Sequence, residues 1–443
     1  MRLNLRFKAD QIALLLMAGI VLLVAAYGYR GSQFAILGPP FNDLGIQLDL
    51  NAYLEGAQQV AAGQNPYVKA LELESAAVSR QYIASIESGR TPYVYPPVLA
   101  VILSLWLGQG VTAITHLWAA LNLLLVPITA LLVVHIFADG VSRGRQALRF
   151  TFLLLLFYFF FPFQHVWSGG QVDLLILFLL LLAFAAYRRG WNVAAGLALA
   201  FALAIKPLVL LIVLYFVWKG AWRTVLAAGI GAAVLVAISF SIVGWQWLPD
   251  YLEVNRFWSG PEFGALPVNQ APRGVALRFF TDNAYIEPLV VIPWLAAVLT
   301  LVPILAAVGG WLWCVPRRDA PRERHSALAY GLIVTSYMLV SPLAEPSHYV
   351  WMLLPLAGAI LVKLDALRRP ADWLWLGAFF ACALYLGYPA WQSRVYSGYE
   401  AALSNQLVER SHLLWTGVYL YGLLVFYALY VLYLRRQAAA SPA

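Results

Sequence analysis

Apolar runs recur along the whole sequence, near 11–29, 94–137, 149–163, 171–187, 191–206, 207–218, 222–244, 287–314, 325–341, 348–364, 373–388 and 412–434. A bilayer-crossing helix needs about 17–25 predominantly apolar residues, and in lipid the backbone must satisfy its own hydrogen bonds. The pattern predicts an all-α polytopic membrane protein, a single domain over 1–443 with about 12 transmembrane helices. The runs 149–163 and 207–218 are short, so they are expected to tilt little or to end inside a protein-lined cavity. Composition agrees, because 62% of residues are hydrophobic and 11% charged, against about 25% charged in soluble domains. Residues 11–29 follow Arg2, Arg6 and Lys8 and are read as an uncleaved first span rather than a signal peptide.

The charges give the chain a direction. With a cytoplasmic amino terminus and one net crossing for 94–137, 19 of the 29 Lys and Arg fall on the cytoplasmic side and 15 of the 21 acids outside, as the positive-inside tendency expects. The net charge of +8 therefore reports orientation and implies no nucleic-acid partner. The segment 94–109 is expected to be re-entrant or interfacial, since Pro96 and Pro97 break its start. Three extracytoplasmic segments are then long: 30–93, 245–286 and 389–411. Helical apolar faces at 50–62 and 70–87 predict two short helices lying on the membrane surface. Trp245, Trp247, Trp258 and Trp391 fit an interfacial aromatic belt or, individually, sugar stacking.

Several polar residues stand where chemistry is conceivable. Asp49 precedes an amphipathic helix just above the bilayer, placed either to take a proton from a hydroxyl or to cap that helix. Gly169 and Gly170 before Gln171 form a turn that brings an amide to a polar ligand, or only turns the chain. Lys206 interrupts an apolar run before Pro207, where it either snorkels or faces a polar cavity that takes phosphate. Arg256, Asn269, Gln270, Arg273 and Arg278 in the second loop suit phosphate and hydroxyl recognition, as they would suit a solvated loop. His348 closes the Ser341–Ser347 connection and either assists at phosphate or bonds at the interface. Cys314 and Cys382 carry no metal-ligand spacing and no assigned role. No Walker-type glycine loop and no His-Glu-x-x-His occurs, so neither an ATP site nor that zinc site is expected, and no cofactor or metal is assigned. Intramembrane acids are nearly absent apart from Asp173 near a span end, which disfavours a proton-coupled transporter.

In order, Asp49-x-x-x-Tyr53, Gly63-x-x-Pro66-Tyr67, Tyr95-Pro96-Pro97, Gly170-Gln171-Val172, Ile205-Lys206-Pro207, Asn269-Gln270 and Ser341-Pro342 with His348-Tyr349 resemble glycosyltransferase family 87, the bacterial polyprenol-phosphate-mannose-dependent α-mannosyltransferases. The resemblance runs over roughly 40–360. It implies a C-type glycosyltransferase fold in the bacterial plasma membrane, an extracytoplasmic active site, and inverting transfer of a hexose, mannose by expectation, from a polyprenyl-phosphate donor to a glycolipid or polysaccharide hydroxyl. It further implies that Asp49 rather than Asp43 is the general base. Lys206, Arg273 and His348 are then expected at the donor phosphate, and Tyr53, Gln171, Asn269 and Gln270 at sugar or acceptor. The rival expectation is a lipid or polysaccharide flippase that uses the same cavity for passage. A ligase taking a diphosphate-linked donor is a third.

Overall fold

The structure is a computed structural model that describes residues 8–28, 48–75, 92–137, 140–317, 324–391, 395 and 409–440. Asp43, most of the 70–87 amphipathic stretch and most of the 389–411 loop lie outside them. The helices run α1 (Ala9–Gly28), α2 (Leu48–Ala61), α3 (Val68–Ser75), α4 (Val98–Ser104), α5 (Val111–Phe137), α6 (Arg143–Phe159), α7 (Phe161–Gly169), α8 (Asp173–Arg188) and α9 (Asn192–Ile205). They continue as α10 (Leu210–Trp218), α11 (Trp222–Val243), α12 (Leu248–Trp258), α13 (Pro272–Phe280), α14 (Pro293–Cys314), α15 (Arg324–Val340), α16 (Leu353–Leu364), α17 (Pro370–Leu386) and α18 (Val418–Ala440). No β-strand occurs among the described residues.

Six helical segments are long and apolar enough to cross a membrane, and α6 with α7, bent by 61°, make a seventh if counted as one span. The protein is therefore a multi-pass membrane protein with an all-helical fold. The difference from the expected dozen has a physical cause. Proline and polar residues cut several apolar runs into pieces too short to pass that test, such as α9, α17 and the stretch Pro207–Trp218. At 94–137 the division falls at Gly110, whose φ of 84° ends a short turn before α5 begins. The seven residues of α4 rise only about 10 Å, too little to cross. That length agrees with the re-entrant or interfacial reading of 94–109.

The interior is built from α8, α15, α16 and the 3-10 turn Pro346–Met352, whose apolar residues are mostly buried. Phe184 of α8 stacks on Tyr330 of α15 with ring centroids 4.4 Å apart. By contrast α11 and α14 bury only 17% and 11% of their apolar windows within the protein, so lipid solvates most of their surface. The apolar face of α2, expected on the membrane surface, is instead covered by protein. Leu50, Tyr53 and Ala57 are buried, α2 packs on α4, and a Cβ at Gly56 would stand 2.7 Å from the Tyr93 ring.

Helices α9 and α11 approach most closely through small residues. A Cβ on Gly196 would lie 2.4 Å from Ala227 Cβ and 2.6 Å from the Thr224 carbonyl oxygen, and one on Gly231 would lie 2.8 Å from Ala200 Cβ. In lipid such contacts replace the hydrophobic effect as the source of helix pairing. Gly196→Val should therefore separate the pair and cost about 1–3 kcal/mol, seen as a lower unfolding temperature of the detergent-purified protein.

Candidate active site

The cavity that gathers the chemistry has a volume of about 240 Å³ and is lined by Asp49, Tyr95, Lys206, Glu345 and His348 among others. Its walls come from five places in the chain, and Lys206 and Glu345 with His348 are brought there by local breaks. Asp49 sits in the first turn of α2. Lys206 ends α9 in an extended conformation, φ −127° and ψ 96°, because a residue preceding proline is excluded from the helical region. Pro207 then starts a 3-10 turn, so the lysine side chain leaves the helix axis and the run 207–218 ends at the cavity. Glu345 and His348 form a reciprocal capping box at the start of the 3-10 turn Pro346–Met352.

Asp173 opens α8 from a fully buried position. Both its oxygens accept from Lys206 Nζ at 2.8 Å, and its backbone carbonyl accepts from the Trp351 indole at 2.9 Å. Lys206 Nζ also stands 2.9 Å from His348 Nε2. On the far side of that ring, Nδ1 accepts the Glu345 backbone N–H at 3.2 Å. Hydrogen-bond logic then assigns the single proton of a neutral His348 to Nε2. An Nε2–H and an ammonium 2.9 Å away cannot bond each other, so an acceptor oxygen placed beside both would satisfy the two donors together.

Gln171 is buried beside Asp49, and its side chain hydrogen-bonds the Asp49 carboxylate, while its own Oε1 has no partner. Gly169 makes room for this pair, since a Cβ there would stand 3.5 Å from both Asp49 Oδ2 and Gln171 Cγ. The following Gly170 takes φ 66°, φ positive as glycine permits, and its carbonyl accepts from the Trp118 indole at 2.9 Å.

Burial, and then the nearby Glu345 charge, holds the Asp49 carboxyl well above the usual carboxylate range, against the opposing pull of Lys206 and the Gln171 hydrogen bond. Burial raises Glu345 itself to about 6. A carboxylate so placed is a stronger base than one in water and has one adjacent group positioned to tune it.

The expected site residues separate into two groups. Asp49, Lys206 and His348 line the cavity, with Gln171 against Asp49. Tyr53 is fully buried behind the cavity, edge-on to Tyr95 at 5.1 Å. Arg273 reaches the rim only indirectly, donating to the carbonyl of the cavity-lining Ser259 at 2.7 Å. Asn269 and Gln270 belong to the scaffold. Asn269 Nδ2 donates to the carbonyls of Gly264 and Pro342, and its Oδ1 accepts the amides of Ala271 and Ala344, which uses all four of its bonds. Gln270 is likewise taken up by Pro267, Thr416 and Tyr419. Arg278, fully buried, donates to Thr416 and to the carbonyls of Leu266 and Asn269, latching the second loop to the start of α18.

Glu345, Asp173 and Tyr95 are the cavity and support residues that residue-by-residue reading underweighted. Glu345 lies three residues before His348, a capping-box spacing visible in the sequence. Among the described residues no three His, Cys, Asp or Glu side chains gather in a way that would hold a metal ion.

Residues 93–342 match the sequence signature of glycosyltransferase family 87. A polyprenol-phosphate-mannose-dependent alpha-(1-2)-phosphatidylinositol mannoside mannosyltransferase of Mycobacterium tuberculosis is 26% identical over 277 residues, 59% of this chain and 60% of that protein. The protein of the same description from Mycolicibacterium smegmatis is 23% identical over 338 residues, 73% of each. The chain thus spans less than two thirds of the length of the first of these relatives. No solved structure matches it.

Proposed function

The chain belongs to glycosyltransferase family 87, and from that premise we propose that it transfers a mannosyl residue from a polyprenyl phosphate to a hydroxyl of a glycolipid or polysaccharide, with inversion, at the extracytoplasmic face of the bacterial plasma membrane. The carrying observation is the cavity whose lining unites Asp49 with Lys206 and His348, a carboxylate and two nitrogen groups around one space.

In this reading Asp49 takes the proton of the acceptor hydroxyl as its oxygen bonds to the anomeric carbon. The bond from that carbon to the phosphate oxygen breaks, and its electron pair leaves with the lipid phosphate. Lys206 and His348 meet the charge developing on that oxygen, where preorganised donors lower a barrier most effectively. Asp173 is a positioning residue that fixes the lysine ammonium, and the free Oε1 of Gln171 accepts from a sugar hydroxyl. Asn269 and Gln270, proposed on sequence as sugar contacts, would act through the backbone frame they brace. Arg273 would act on the donor only through the loop it closes at Ser259.

Two assays separate this reading from a flippase. Detergent-solubilised protein given radiolabelled polyprenyl-phosphate mannose and a glycolipid mixture should yield a labelled glycolipid and free polyprenyl phosphate. Absence of any transferred label across a donor panel, including a diphosphate-linked sugar, together with lipid-linked sugar translocation in reconstituted vesicles, would refute it.

The pH profile is informative as well. Because Asp49 must be ionised, kcat/KM should fall on the acid side through a pKa above the usual carboxylate range, about 4. Removing the Glu345 charge removes one cause of that elevation. Glu345→Gln should therefore move the acid limb to lower pH, and a limb that stays in place would show that Asp49 is not the titrating base.

A further inference from the structure

A second groove, of about 550 Å³, lies at the other end of α2, lined by Glu55, Gln59, Gln64, Asn65, Lys69 and Trp247 among others. Gln59 is ten residues beyond Asp49, or about 15 Å along the helix axis. The two cavities are joined by one stripe. Trp247, Tyr251, Asn255 and Trp258 follow at spacings of four, four and three, the spacing of a single helical face. Trp247 faces the groove and the other three line the cavity of Asp49. The stripe is rigidly seated, since Tyr251 packs on the Tyr67 ring at 5.6 Å and Asn65 ties Asp250 to the α2–α3 turn at 2.5 Å.

The chemistry of the groove selects its ligand. Among the described lining residues the one cation, Lys69, is already ion-paired with Glu55, so the groove offers little to an anionic lipid headgroup or phosphate. A divalent cation lacks a ligand set, since no such cluster occurs among the described residues. The remaining features are planar amides on Gln59 and Gln64, carboxylate oxygens and an indole, which suit a neutral polyol with an apolar face and many hydroxyls. The Trp247 indole N–H, moreover, is shielded from solvent and has no acceptor. An N–H in that state costs about 1–3 kcal/mol, and a turn of the indole toward the groove would offer it to a ligand hydroxyl oxygen.

We propose that this groove is a carbohydrate subsite that holds the distal sugars of the acceptor, with the α12 stripe guiding the chain toward Asp49. The subsite deepens the proposed transfer reaction and rests on it for the word acceptor. The acceptor is then an oligosaccharide-headed molecule that is gripped about 15 Å from the reacting hydroxyl, the rise along α2 from Asp49 to Gln59.

Binding of an α-linked mannotriose and of methyl mannoside to the full detergent-purified chain, without donor, tests this. The trisaccharide should bind more tightly than the monosaccharide. Trp247→Ala should weaken trisaccharide binding about tenfold with an unchanged unfolding temperature, Gln59→Ala should weaken it less, and Trp247→Phe should retain most of it. Trisaccharide binding equal to that of the monosaccharide, or indifferent to both alanine variants, overturns the subsite. The two readings fail separately: a Trp247-dependent binder that transfers no sugar keeps the subsite and loses the reaction, whereas an active transferase whose trisaccharide binding ignores Trp247 does the reverse.

Discussion

Asp49→Asn is expected to lower sugar transfer by about 10²–10⁴-fold, the usual worth of a positioned general base. It is also expected to leave the protein at least as stable as the parent. The two effects have opposite signs for one reason. Burial and the Glu345 charge hold the Asp49 carboxyl above its ordinary range, so an ionised Asp49 is a cost to the folded state. For an acid raised in the fold, stability falls as pH rises through the interval between the ordinary and the raised value. Asparagine keeps the shape and can still bond Gln171 but carries no charge and takes no proton. Measured at neutral pH, turnover should collapse while the unfolding temperature holds or rises. A variant that lost both together would make Asp49 a structural cap of α2 instead.

The second large effect concerns Lys206. It is bound to both oxygens of the fully buried Asp173, so Lys206→Met leaves a carboxylate without its counter-charge. Breaking such a pair by removing one partner costs about 3–5 kcal/mol, whereas replacing both partners with apolar residues is often neutral. Lys206→Met should accordingly lower the unfolding temperature strongly, and Asp173→Leu combined with it should restore most of the loss. Activity should stay abolished in the double variant, because nothing then faces the leaving phosphate beside His348. Recovery of turnover along with stability would reduce Lys206 to a structural ion pair.

How far the sequence foretold this site depends on what each residue's neighbours are. The long spans were legible because lipid imposes length and apolarity: the runs 11–29, 222–244, 287–314 and 412–434 correspond to α1, α11, α14 and α18. The Lys206 break was legible too, since Lys-Pro ends a helix by local sterics. The partner of that lysine was not. Asp173 lies 33 residues away and meets it only because α8 packs on α9, a fact of tertiary packing. Asn269 and Gln270 show a different limit. An amide that will bind a sugar hydroxyl and one that will bind backbone carbonyls are the same residue in a sequence, and only the completed network around Thr416, Ala344 and Pro342 separates them. Glu345 was hidden for a related reason, because its place beside Asp49 arises from a capping turn that also organises His348.

The most direct test is transfer of ¹³C-labelled mannose from polyprenyl phosphate to a glycolipid by the purified chain, followed by NMR of the anomeric carbon. Single displacement assisted by Asp49 predicts a new glycosidic linkage whose anomeric configuration is opposite to that of the donor, formed in step with released polyprenyl phosphate. A product of retained configuration, or a donor left intact in the presence of acceptor, would contradict the account.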